Sequence, residues 1–109
     1  MDRDEQQWAD AIEASPEDFV LYSVFADWLE EQGRADAAYG WRKLAKWERL
    51  PSERYSNGYY WLHDILPSIV ERRLLSRGAF PSIYLALYAA AMAWYQVDHS
   101  ISLRRRIKQ

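Results

Sequence analysis

Residues 15–33, SPEDFVLYSVFADWLEEQG, decide how the rest of this chain is read. Ser15 can accept hydrogen bonds from the unpaired N–H groups of a first helical turn, Pro16 suits the first helical position, and Asp18 completes a capping-box spacing against Ser15. Gly33 supplies the left-handed conformation in which helices end. Between these caps Leu21, Val24, Phe25, Trp28 and Leu29 recur at helical spacing, while Glu17, Asp18, Asp27, Glu30 and Glu31 carry charge. The stretch predicts a strongly specified amphipathic helix over 15–32.

Upstream, residues 4–14 predict a first helix with Trp8, Ala11 and Ile12 on one face; the short connection at Ser15-Pro16 makes it an antiparallel neighbour of the second. Downstream, a third helix is expected over 35–50, ending before Pro51, which disfavours helical geometry in the residue ahead of it. Trp41, Leu44, Ala45 and Trp47 supply its apolar contacts, and Arg42, Lys43, Lys46 and Arg49 make the opposite face basic.

Residues 51–60 read as irregular, with a turn at Ser56-Asn57-Gly58. Tyr59 to Leu62 fits either a short extended segment or a helix start. A fourth helix is expected over 67–76, stopped by Gly78, with Ile69, Val70 and Leu74 inward. Phe80-Pro81-Ser82 introduces a last helix over 83–97 that is apolar nearly all round, as a central core helix would be. Its uninterrupted apolar run, 83–95, falls short of the ~20 residues a membrane span needs. On that helix Tyr84, Tyr88, Met92 and Tyr95 form one row; either part of it is left uncovered and takes a weak homodimer or a hetero-partner, or the row is the fully buried core of a monomer. A basic tail, Arg104, Arg105, Arg106 and Lys108, ends the chain. The fold class is an all-α, single-domain bundle of about five helices with an irregular segment near 51–60.

A chain of 109 residues, half of them hydrophobic and 16% aromatic, can bury a core without staples. With no cysteine there is no disulfide, thiolate metal site or cysteine nucleophile. Met1 is followed by DRDEQQ rather than a basic and then apolar run, so no secretory signal is expected and the expected location is the cytoplasm. The net charge of −2 conceals an asymmetry: residues 1–36 hold eleven Asp/Glu against two Arg, and residues 37–109 hold twelve Lys/Arg against five Asp/Glu. The halves either neutralise one another on folding or leave a bipolar surface that binds by charge.

Residues 25–33, Phe-Ala-Asp-Trp-Leu-Glu-Glu-Gln-Gly, resemble the hallmark of the bacterial repeat-companion domain, an aromatic-Ala-Asp-Trp-Leu-Glu-Glu-x-Gly run preceded by a proline and an acidic pair, here Pro16-Glu17-Asp18. The resemblance covers roughly residues 8–44. The chain departs from the family at Tyr22-Ser23, where Arg-Leu is typical, and at Arg34-Ala35, where small or acidic turn residues are typical. It implies a small helical module found beside repeat proteins and in short stand-alone chains, with no enzymatic activity to transfer. Asp27 is then no catalytic candidate; its expected role is to pair with a base such as Arg42 across the helix hairpin.

The two histidines, His63 and His99, lack metal-ligand spacing, no phosphate loop or nucleophile elbow is present, and Glu30 and Glu31 are adjacent rather than opposed across a cleft. Neither an enzyme nor a cofactor is expected. The aromatic set Trp41, Trp47, Tyr55, Tyr59, Tyr60 and Trp61 is dense for a core of this size. Either it fills the core, or several members form an exposed hot spot. Two functional readings follow. The first is a protein-interaction or adaptor module that contacts another protein through Trp41, Arg42, Lys46, Trp47, Tyr59, Tyr60 and Trp61. The second is a nucleic-acid binder using Arg42, Lys43, Lys46, Arg49 and Arg104 to Arg106, a reading weakened by the acidic N-terminal half.

Overall fold

A computed structural model describes residues 2–53, 58–62, 65, 66 and 80–107, with backbone alone at 53 and 100–107. Helix α1 (Arg3–Ala14), α2 (Phe19–Glu31) and α3 (Ala35–Trp47) follow in order, then the two-residue strands β1 (Ser52–Glu53) and β2 (Tyr60–Trp61), then α4 (Ile83–Ile107). The molecule is thus mostly helical, with four helices among the described residues against about five expected; the one expected over 67–76 lies outside them, as do Tyr55 and His63.

Local punctuation explains the boundaries. The Asp2 carboxylate accepts from the Glu5 N–H at 2.8 Å and starts α1. The cap of the second helix lies three residues later than expected, at Asp18 instead of Ser15, because Ser15 closes α1, its N–H donating to the Ala11 carbonyl, and the Asp18 carboxylate accepts from the Leu21 N–H at 3.2 Å. Its end is as expected: Gly33 adopts φ +78°, its N–H donates to the Glu30 carbonyl and that of Arg34 reaches back to Leu29, the paired bonds of a Schellman stop. Helix α3 closes at Trp47, short of Leu50, where Glu48 turns left-handed at φ 52°. Ser82 caps α4, its Oγ accepting from the Leu85 N–H at 3.1 Å, while Glu13 of α1 accepts from the Tyr84 N–H at 2.7 Å.

The segment near 51–60 is partly regular. Ser52 pairs with Trp61 and Glu53 with Tyr60 in antiparallel register, and Tyr60 exchanges both backbone bonds with Phe80 at 2.9 and 3.0 Å. Residues 60–61 are therefore extended, which decides between the two readings of that stretch.

Helix α3, rather than the last helix, lies in the middle, packed against α2 on one side and α4 on the other. Small residues permit the close approach: a Cβ built on Gly40 would stand 1.8 Å from the Ala91 carbonyl oxygen and 2.5 Å from its Cα. Beside that contact Trp41 is fully buried, with ring centroids of Phe25, Tyr22, Tyr84 and Tyr88 at 4.9, 5.2, 6.0 and 6.1 Å. Each aromatic pair contributes ~0.5–1.5 kcal/mol beyond its buried area. The buried Trp41 indole N–H has no hydrogen-bond partner among the described residues.

The inward face of α2 is rotated from the expected one: Tyr22, Phe25, Ala26 and Leu29 are buried and Val24 is exposed. Tyr22 goes inside because its hydroxyl donates to the Pro16 carbonyl; burial, helped by Glu17 and Asp18, pushes its pKa well up, so it remains a donor. Trp28, expected to be buried among three helices, is half-buried, stacked on Phe25 at 5.9 Å and near Trp8 at 6.3 Å. Arg42 does bridge the hairpin, to Asp27 at 2.8 Å and Glu30 at 2.9 Å. That triad is exposed, a setting worth ~0–1 kcal/mol, so the aromatic packing dominates.

The tyrosine row of α4 is not left open. Tyr84 is buried and donates to Glu5 at 2.6 Å; Tyr88 and Tyr95 are half-buried against Arg34 and Tyr39. Arg34 grips Glu5 through two bonds, 2.8 and 3.2 Å, and its Nε donates to the Tyr88 hydroxyl at 3.0 Å. The Arg34 hydrogen bond holds the Glu5 carboxyl below its ordinary value against the opposing effect of burial. Helix α4 also runs ten residues past the expected Val97, through what was read as a basic tail. No glycine or proline interrupts 98–107, and Asp98 is tied to α3 by Lys43 at 2.9 Å and Tyr39 at 2.6 Å. No helix among the described residues is long and apolar enough to cross a membrane.

Two outcomes follow. Gly40→Ala forces α3 and α4 apart and lowers stability by ~1–3 kcal/mol, an overpacking cost; a thermal melt within a degree of wild type contradicts the close approach. Glu5 has a depressed folded-state pKa, so its contribution is present above the unfolded value and is lost as pH falls through the lower folded one. The stability gap between wild type and Glu5→Gln should therefore be wide at neutral pH and shrink on acidification below about pH 4; a gap independent of pH refutes the Arg34 pairing.

Candidate functional site

The last turns of α3 place Lys43, Lys46 and Trp47 along the side that meets α4. Lys43 and Trp47 stand one turn apart on one face, because four residues nearly complete a helical turn. The left-handed Glu48 then reverses the chain, so that the Arg49 guanidinium lies 5.7 Å from the Trp47 ring centroid. From α4, Trp94 stacks on Trp47 with centroids 5.5 Å apart and planes inclined by 21°. Together Lys43, Lys46, Trp47, Arg49 and Trp94 line an open cleft of about 410 Å³.

The two tryptophans differ in role. Trp94 is 6% exposed and its indole N–H donates to the Ile65 carbonyl at 3.0 Å, which fixes the ring as a floor. Trp47 is 47% exposed and presents its outer surface to solvent.

The electrostatics are lopsided. Lys43 sits 5.1 Å from the Trp94 ring and is paired with Asp98. Burial raises the Asp98 carboxyl, but the hydrogen bonds from Tyr39 and Lys43 outweigh it and hold it below its ordinary value. The same Asp98 bond raises the Lys43 ammonium. Lys46 and Arg49 are exposed and make no ion pair among the described residues. The cleft therefore offers an apolar surface beside two cations that make no ion pair among the described residues, an arrangement complementary in charge and polarity to an anionic group next to an apolar one. Among the described residues no cluster of three His, Cys, Asp or Glu could hold a metal.

Of the residues expected to bind a partner, the structure brings Lys46 and Trp47 together, joined by Lys43 and Arg49 from the nucleic-acid reading. Trp41 is a correction: it is a core residue with no exposed surface, since six residues of helix turn it about 240° from Trp47. Arg42 points to the α2 carboxylates. Tyr59 is exposed, while Tyr60 and Trp61 are half-buried in the strand pair. Arg104, Arg105 and Arg106 lie in the last turns of α4, where only the backbone is described. The residue missed was Trp94, read as part of the core helix with a polar group to be satisfied and given no place in either binding surface.

Substitution separates anchor from floor. Trp47→Ala removes a half-exposed ring and costs roughly 1 kcal/mol, whereas Trp94→Ala empties a buried site and costs ~3–5 kcal/mol. Chemical denaturation of both variants checks the order; equal losses would make Trp47 a core residue.

No protein-family model, no curated protein and no solved structure matches this chain.

Proposed function

We propose that this chain is a non-enzymatic interaction module that captures an acidic segment of another protein in the Trp47 cleft. The observation that carries the reading is the exposed Trp47, stacked on an anchored Trp94 and bordered by Lys46 and Arg49, neither of which has a carboxylate partner among the described residues. Tryptophan and arginine dominate binding energetics when a ring is held rigidly and can be desolvated. Cations at the rim steer an acidic partner into register and raise its association rate. The resemblance of residues 25–33 to repeat-companion domains, helical modules without enzymatic activity, agrees with such a role in a bacterial cytoplasm.

The same cations favour a second reading, single-stranded nucleic acid. It is the weaker one. Strand binders stack successive bases on successive exposed rings, and this cleft presents one exposed indole, already stacked on its neighbour.

Tryptophan fluorescence decides between them. An acidic peptide of Glu and Asp residues around one leucine should bind wild type, and Trp47→Ala should weaken it by about thirtyfold, the loss of a hot spot. Lys46→Glu should weaken it less, chiefly through the association rate. A single-stranded oligonucleotide that binds more tightly than the peptide, with affinity falling steeply as salt rises, would replace the protein reading with the nucleic-acid one.

A further inference from the structure

The cleft implies a ligand with an apolar group beside carboxylates, and the chain carries such a surface itself. On α2, Val20 is 75% exposed and Val24 48%, one turn apart on one face. Asp27 and Glu31 extend the same face at the next two helical repeats, and Glu17 lies exposed in the turn ahead of the helix. None of this row is needed inside, because α2 already buries Tyr22, Phe25, Ala26 and Leu29. Internal pairing leaves many charges over, some of them on these two surfaces. Asp27 is held by Arg42, Asp98 by Lys43 and Glu5 by Arg34, whereas Glu17 and Glu31 on one side, and Lys46 and Arg49 on the other, make no ion pair among the described residues.

We infer that the cleft accepts a second copy of this chain, with Val20 and Val24 of one copy against Trp47 of the other and Glu31 and Glu17 facing Lys46 and Arg49. The inference rests on the reading of the cleft as a site for acidic segments and names its occupant. Its basis is complementarity of charge and polarity between two surfaces of one molecule. The two surfaces also adjoin: Arg42, one turn before Lys46 on α3, bonds Asp27, which follows Val24 one turn further along α2. Neighbouring complementary rows can be satisfied twice about a two-fold axis, each copy giving its row and its cleft, so association closes at a dimer. In that dimer the surface offered to an acidic partner is covered, and partner binding competes with self-association.

Sedimentation equilibrium of the full chain, up to about 500 µM at low ionic strength, tests it, since mass action exposes even a weak dimer there. A monomer–dimer equilibrium is expected, shifted to monomer by high salt. Val20→Lys and Trp47→Ala should each weaken it about tenfold or more. Circular dichroism should be unchanged for Val20→Lys, whose position is exposed. Lys46→Glu and Glu31→Lys should each weaken the dimer alone, yet associate when mixed, because the mixed pair has one native and one charge-reversed contact. A chain monomeric throughout, growth beyond two copies, or a dimer indifferent to Val20→Lys overturns the inference. If the acidic peptide still binds a monomeric chain, the cleft stands and only its self-occupancy falls. If Val20→Lys abolishes a dimer that Trp47→Ala leaves intact, the cleft is not the docking site and the inference falls.

Discussion

The backbone contact between Gly40 and Ala91 sets the geometry on which the rest depends. With no side chain at Gly40 and a methyl group at Ala91, α3 and α4 meet at a distance that any larger residue at position 40 would forbid. Two consequences follow along α3. Trp41, the next residue, is turned away from that contact into a well of four rings shared with α2 and α4. Trp47, seven residues on, returns to nearly the same face as Gly40 and meets Trp94, one turn beyond Ala91. The core and the cleft are two ends of one helix crossing.

Charge is arranged around this apolar frame rather than holding it up. Ion pairs form in three places: Arg34 with Glu5 inside the acidic first third, Lys43 with Asp98 inside the basic remainder, and Arg42 with Asp27 and Glu30, where the two parts meet. The first is the most sheltered and is tied to Tyr84 and Tyr88 as well, so it locks α1 and the start of α3 to α4. The Arg42 contacts are exposed and contribute little to stability, while Lys43 with Asp98 is half-buried. Their effect is to use up some charges and leave others, and the unpaired ones that line the Trp47 cleft, Lys46 and Arg49, are positive.

Much of the fold was legible because it is written in local signals. Gly33 ends a helix wherever a left-handed residue is required, Ser82 caps one, and Arg42 lies within reach of Asp27 across a short hairpin; none of these needs knowledge of distant residues. What escaped depended on tertiary partners. Ser15 and Asp18 are equally good caps in isolation, and the choice of Asp18 follows once Ser15 closes α1. Tyr22 looks polar on a helical wheel until its hydroxyl finds the Pro16 carbonyl. Arg34 is an unremarkable turn residue until Glu5 and Tyr88 arrive from two other helices. The site was legible to the same degree: Trp47 and the cations near it could be named from one stretch, whereas Trp94 could not, because an indole whose N–H needs a partner gives no sign that the partner is Ile65 or that its face will carry another ring. Trp41 erred the other way, since density of aromatics says nothing about which side of a helix each occupies once the neighbours are unknown.

The close crossing of α3 and α4 can be observed directly in solution. In a carbon-edited NOE spectrum of the full chain, a strong cross-peak between a Gly40 Hα and the Ala91 Hα is predicted, accompanied by contacts between the Trp47 and Trp94 indole rings, because both pairs belong to one crossing. Indole contacts without the Gly40–Ala91 peak, or Gly40 protons that contact only α2, would contradict the account, since the cleft would then have to be built on a different packing of α3.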